Sequence, residues 1–284
     1  MKKYIYYFIL SVFLIFSAFN SKLLFSILGD FYRNIFGRTS ALYLRSYANS
    51  KIFFKDIEFS NDSSLVFITF GQSNSANSGR MEKSLKNWNN VYMSYKGNIY
   101  DYADPSIGAE GFGASVWGLL GKEILLESEG KIKNVFFTNT GVGGISIEGL
   151  ISDENDFLKY FLNEFRYTLD RFGKIDGVLF HQGESNNRKI DQYYDSFLTL
   201  QDSINNIRKV PIFLSQASYC DSIVNENLLK IQNSLIKNRE MVFRGPNSDV
   251  LGSNYRYDNC HFNSDGLVKL SKLWYQSIFL RLED

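Results

Sequence analysis

From residue 65 onward the chain alternates between two hydrophobic patterns. Short β-branched and aromatic runs at 65–70, 135–139, 177–181, 211–216 and 241–244 predict strands, being too short and too continuously apolar for amphipathic helices. Longer stretches at 157–171, 190–207, 222–237 and 264–282 predict helices, each long enough to cross back over a sheet. Strands alternating with helices imply a mostly parallel sheet with helices on both faces. The expected fold class is therefore α/β: a single three-layer α/β/α domain, flavodoxin-like, over residues 51–284. No internal repeat, low-complexity tract or second-domain linker interrupts it, and only three prolines occur in the whole chain.

The N-terminus has another pattern. Lys2 and Lys3 precede residues 4–19, which carry no charge, as in the basic and apolar regions of an export signal. Sixteen residues as a helix reach about 24 Å, short of a hydrocarbon core of roughly 30 Å. That favours a signal peptide over a full span. Against cleavage, bulky Phe16 stands before Ser17-Ala18, and a second apolar patch follows Lys22, whose long side chain could snorkel. A signal peptide and an uncleaved membrane anchor over 1–22 both remain open. A buried N-terminal helix fits less well, because the run is apolar on every face. Residues 23–50 mix aromatic, glycine and basic residues without a period and read as a connecting region. Export to the periplasm or another extracytoplasmic space is the expected localisation.

Composition narrows the partners. With 31 basic and 30 acidic residues the net charge is +1, which gives no field for nucleic acid or an anionic surface. The oligomeric state is not readable. The only cysteines, Cys220 and Cys260, could pair in an oxidising compartment or stay as two small apolar residues.

In a parallel sheet, ligands bind beyond the carboxyl ends of the strands, so the residues after each strand matter most. They are Gly71-Gln72-Ser73-Asn74, then Thr140-Gly141-Val142-Gly143-Gly144, then His181-Gln182-Gly183-Glu184-Ser185, with Asp258-Asn259-Cys260-His261 before the last helix. A serine hydroxyl needs a base to become a nucleophile, and the base needs an orienting group. Only two histidines exist, His181 and His261. Asp258, three residues before His261, can fold back onto one imidazole nitrogen and leave the other facing out. His181 ends an apolar strand, where a hydrogen-bonded, partly buried histidine is the commoner outcome. Gly71 permits a tight strand-to-helix turn that exposes Ser73, although Ser and Asn after a strand also serve as turn and cap residues. The glycine run is no dinucleotide fingerprint, since position 146 is Ser, and no phosphate-binding G-x-x-x-x-G-K-[ST] run exists. Such glycines either make a tight turn or present backbone N–H groups to an oxyanion.

The ordered set of four blocks resembles the SGNH (GDSL-like) hydrolase superfamily, and within it the sialate O-acetylesterase-like carbohydrate esterases, over residue 65 to the C-terminus. The resemblance implies Ser73 as nucleophile, His261 as general base and Asp258 as its orienting carboxylate. It implies an oxyanion hole made by the Ser73 and Gly143 amides and the Gln182 side chain, which stands where the wider superfamily has the Asn of G-x-N-D. Gln72, Asn74, Gly144 and Glu184 would then touch substrate or order the site. Two positions depart from the usual pattern: Ser75-Ala76-Asn77 follows "GQSN" where Met is frequent, and Asn186 stands where "QGE" is often followed by Asp. They bear on substrate contacts more than on the triad.

The resulting expectation is a serine esterase that removes O-acetyl groups from a carbohydrate of sialate, acetyl-xylan or surface-glycan type through an acyl-enzyme, with no metal or organic cofactor. An acetylated glycan or sugar is its expected partner. Two rivals share the fold: a glycan O-acetyltransferase using the same triad, and a non-catalytic glycan-binding module. The latter has no need for Ser, His and Asp together.

Overall fold

The computed structural model describes residue 57, residues 59–82 and residues 88–280. The expected signal or anchor over 1–22 and the connecting region over 23–50 lie outside these residues. Among the described residues, no helix is long and apolar enough to cross a membrane.

Seven strands of the described residues form one sheet: β1 (Ser64–Gly71), β2 (Val91–Tyr95), β3 (Asn98–Asp101), β4 (Asn134–Asn139), β5 (Gly177–His181), β6 (Ile212–Gln216) and β7 (Val242–Asn247). Their spatial order is β3-β2-β4-β1-β5-β6-β7, all parallel except the β2–β3 hairpin at one edge. The fold is α/β with a mostly parallel sheet, as the alternation predicted. The hairpin was absent from the sequence reading. It closes through Lys96 and Gly97 with φ of 49° and 75°, the left-handed pair that suits the twist of a two-residue turn.

Among the described residues, six helices cover the sheet: α1 (Trp117–Glu127), α2 (Ile147–Ile151), α3 (Phe157–Phe172), α4 (Tyr193–Asn205), α5 (Glu226–Asn238) and α6 (Ser264–Tyr275). Because side chains alternate along a strand, Ile68, Phe70, Val178, Phe180 and Leu214 face one layer with Phe161 of α3 and Phe197 of α4. Phe67, Leu179 and Phe213 face the other, with Trp117 of α1 and Trp274 of α6. Both faces are thus buried, which is why the strands read as continuous apolar runs. The last helix ends at Tyr275, earlier than expected, and a π-turn over Gln276–Leu280 follows.

The strand order also locates a crevice. From β1 the chain fills one side of the sheet with β2, β3 and β4, then crosses to β5 on the other side. This reversal is a topological switch point, and it lies at the carboxyl end of β1. Thr69 pairs with Asn139 on one side and Gly71 with His181 on the other, so the three loops after β1, β4 and β5 leave one edge together.

Candidate active site

Gly71 ends β1 with φ of 135°, and a Cβ there would lie 2.0 Å from the His181 carbonyl oxygen. Only glycine lets the chain turn so close to β5. The Ser75 and Ala76 amides donate back to the Gln72 carbonyl at 2.8 and 3.0 Å, winding Ser73 into a tight turn. Among the described residues no helix directly follows this turn, where the sequence suggested a strand-to-helix elbow; the first described helix is α1. The Gly141 loop presses on this turn, since a Cβ at Gly141 would meet the Ala76 nitrogen at 2.8 Å.

Asp258 and His261 are joined as their spacing predicted. One carboxylate oxygen accepts the Cys260 and His261 backbone amides at 3.1 and 2.7 Å, and the other lies 2.7 Å from His261 Nδ1. Burial raises the Asp258 pKa, but the bonds from the His261 ring and from both backbone amides outweigh it, holding the carboxyl below its ordinary value. With Nδ1 engaged, Nε2 is the nitrogen left to act as a base.

Asn74 links this loop to the nucleophile turn. Its side-chain amide donates to Glu184 Oε1 at 2.6 Å and to the Cys260 carbonyl at 3.2 Å, so the neighbour of Ser73 touches the neighbour of His261. Further ties run from the Arg80 amide to the Phe262 carbonyl and from the Tyr257 hydroxyl to the Ser78 carbonyl. Ser73 and His261 themselves share no hydrogen bond. Arg256, which the sequence reading missed, braces the base loop from below. Its guanidinium donates to the Leu251, Ser248 and Cys260 carbonyls and lies over the Tyr219 and Phe262 rings. A buried arginine is not distinguishable in sequence from a surface one.

The remaining site residues fall into two groups. Gln72 Oε1 accepts the Ser185 and Gly183 amides at 2.9 and 3.3 Å, tying the first and third loops together. Gln182, expected as an oxyanion donor, is fully buried. Its amide nitrogen donates to Asn186 Oδ1 at 2.6 Å and lies 3.3 Å from both Gln72 Oε1 and the Ile145 carbonyl. Asn186 gives its own NH2 to the acceptor-only carboxylate of Glu148, which fixes the direction of the whole chain. Gly143 donates its amide to the Glu110 carboxylate at 2.7 Å. Gly144 is exposed with open space beside it, and among the described residues neither its amide nor that of Ser73 donates to another protein group.

His181 is fully buried, where the strand end suggested a partly buried, hydrogen-bonded histidine, with Nε2 3.3 Å from Glu184 Oε1. Burial pushes Glu184 up, but His181 and the bond from Asn74 overcome it and hold the carboxyl at about 2. Because the folded pKa lies below the unfolded one, the stabilisation from Glu184 is fully present above about pH 4.3 and is lost as pH falls toward 2. Glu184→Gln is therefore expected to cost on the order of 3 kcal/mol at pH 6 and progressively less from pH 4 to pH 2. Thermal melts of both proteins across that range check this; a deficit independent of pH would rule out the carboxylate as its source.

Cys220 and Cys260 form a disulfide between the loop after β6 and the residue preceding His261. Closing a forty-residue loop is worth about 4 kcal/mol on the chain-entropy model. Cys220→Ser is expected to lower stability by roughly that amount and to reduce turnover more than substrate affinity, because the loop carrying the base loses its tether. Denaturant melts and steady-state kinetics measure the two effects. Unchanged kinetics in the folded variant would confine the disulfide to stability.

Residues 63–279 match the family model described as carbohydrate esterase, sialic acid-specific acetylesterase. The chain belongs to that family. It is accordingly a carboxylic ester hydrolase of the carbohydrate acetylesterase kind. A protein from Arabidopsis thaliana is similar in fold at 14% identity and a TM-score of 0.61, covering 78% of this chain and 100% of the other. NanS is similar at 14% identity and a TM-score of 0.54, covering 80% and 100%. No curated protein matches the chain in sequence.

Proposed function

We propose that this esterase cleaves O-acetyl groups from a sugar hydroxyl by a Ser73–His261–Asp258 mechanism. The observation that carries the reading is the Asp258–His261 pair, held by three hydrogen bonds and tied through Asn74 to the turn bearing Ser73. Ser73 Oγ attacks the acetyl carbonyl carbon while His261 Nε2 takes its proton. The sugar C–O oxygen leaves with that proton, and a water deprotonated by the same nitrogen then releases acetate from the acyl-serine. In unliganded sites the serine–imidazole bond is often open and closes as substrate seats, which accommodates the unbonded pair seen here.

The developing oxyanion falls to the Ser73 and Gly144 amides, neither of which donates to another group among the described residues. Gly143 and Gln182 support them: the first amide is held by Glu110, and the second braces Gln72 and the Ile145 carbonyl. The family description supports an acetylated carbohydrate of sialate, acetyl-xylan or surface-glycan type as the substrate. The disulfide beside the base suits an oxidising, extracytoplasmic compartment, in line with the basic and apolar N-terminus. Acetate release from O-acetylated sialic acid and from acetylated xylan, each compared with Ser73→Ala, tests the activity and ranks the two substrates.

A further inference from the structure

The mechanism above leaves a buried carboxylate unused. Glu110 is 5% exposed and lies in "GAEGFG", residues 108–113, a stretch that attracted no attention in the sequence. It is bonded to both loops that would meet the reacting ester. Its Oε2 accepts the Gly143 amide at 2.7 Å, its backbone amide donates to the Gly141 carbonyl at 2.8 Å, and its carbonyl accepts the Asn77 amide at 2.8 Å. Asn77, four residues after Ser73, fastens the segment further. Its side chain donates to the Ser106 and Ala109 carbonyls and accepts from the Ser106 amide and hydroxyl. Residues 106–110 thus form a strut between the nucleophile turn and the glycine loop.

From this geometry we infer that Glu110 is a positioning residue for the oxyanion hole, acting through the Gly143 amide to set the direction of the Gly144 amide. The inference rests on the proposed acyl-transfer reading of the site. Two adjacent glycines can rotate their shared peptide at little cost, so a half-buried Gly143 followed by an exposed Gly144 does not by itself aim an N–H group. A carboxylate bonded to the Gly143 N–H fixes the preceding Val142–Gly143 peptide, and so the Gly143 Cα from which the shared peptide is set, with a charge-assisted bond about twice as strong as a neutral one. Space is tight on the same side, since a Cβ at Gly143 would lie 3.3 Å from Glu110 Oε2. Glu110 therefore need not touch substrate. Its negative charge would oppose an oxyanion if it did, so its value lies in the acceptor geometry.

The test compares Glu110→Ala with Glu110→Gln, using acetate release from the substrate that wild-type protein turns over. Glu110→Gln keeps an acceptor oxygen and is expected to stay within about threefold of wild-type kcat. Glu110→Ala is expected to lose about 10- to 100-fold in kcat, the scale of a 1 Å misplacement, with KM within about threefold. If Glu110→Ala fails to fold, Glu110→Asp, one methylene short of the Gly143 amide, should show the same kcat loss. Amide exchange gives a reading that needs no activity: Gly143 should be more protected in the wild type and in Glu110→Gln than in Glu110→Ala. Normal kcat in a folded Glu110→Ala, a loss confined to KM, equal damage from Gln and Ala, or unchanged Gly143 protection would each overturn the inference. A wild-type protein without esterase activity would instead undo the proposed mechanism, while Gly143 exchange would still report on the strut.

Discussion

Ser73→Ala lowers turnover of an acetylated sugar by at least about a thousandfold while leaving the melting temperature nearly unchanged. The size of the loss follows from what stays behind. Without the hydroxyl no acyl-enzyme can form, and only the oxyanion donors and substrate binding remain to assist a water. Stability should survive because the turn is held by its neighbours: Ser75 and Ala76 bond back to Gln72, and Asn74 reaches Glu184 and Cys260. The Ser73 hydroxyl itself bonds to none of the described residues. Acetate release by the purified variant, with a thermal melt alongside, measures both. A folded Ser73→Ala with near-normal turnover would remove Ser73 from the chemistry, whatever the family.

Much of this arrangement was legible because buried parallel strands leave an unmistakable apolar signature. β1, β4, β5, β6 and β7 were each visible as short apolar runs, and the blocks after β1, β4 and β5 converge because their strands are neighbours in the sheet. The β2–β3 hairpin was not visible: Val91–Tyr95 is one short run next to the edge strand Asn98–Asp101, read among polar and glycine residues. α1 was hidden by its own packing. Gly118 and Gly121 lower its helix propensity, yet they admit the Trp88 and Tyr102 rings and the Val91 side chain, which a Cβ would meet at 2.6 to 2.9 Å.

At the site, local relations were readable and distant ones were not. Asp258 and His261 lie three residues apart, so spacing alone suggested their bond. Glu110 and Gly143 are 33 residues apart and meet only because a strut crosses between two loops. The same limit explains Gln182. Its block was identified, but the Asn186–Glu148 chain that engages its amide depends on α2, a short helix that the sequence pattern did not reveal. The Cys220–Cys260 pair was open for the same reason, since nothing in the spacing fixes how the loop after β6 approaches the base.

Asp258→Asn is expected to reduce kcat by about ten-thousandfold with little change in KM or stability, and the bonds around the carboxylate say why. One oxygen of Asp258 holds the Cys260 and His261 backbone amides, an acceptor role that the Asn carbonyl oxygen can keep. The loop should therefore stay in place. The other position faces His261 Nδ1 at 2.7 Å, where Asn would present an NH2 group instead of an acceptor. A donor there turns Nδ1 into the acceptor and moves the imidazole proton to Nε2, the nitrogen that must receive the Ser73 proton. The base is then present, correctly placed and in the wrong tautomer. The imidazolium formed during attack also loses the carboxylate that stabilises it. Asp258→Ala separates this from a structural effect, because it would release both backbone amides and lower stability as well. Steady-state kinetics with thermal melts on the two variants decide the matter: an Asp258→Asn protein within tenfold of wild-type turnover would mean that His261 takes the proton without help from Asp258.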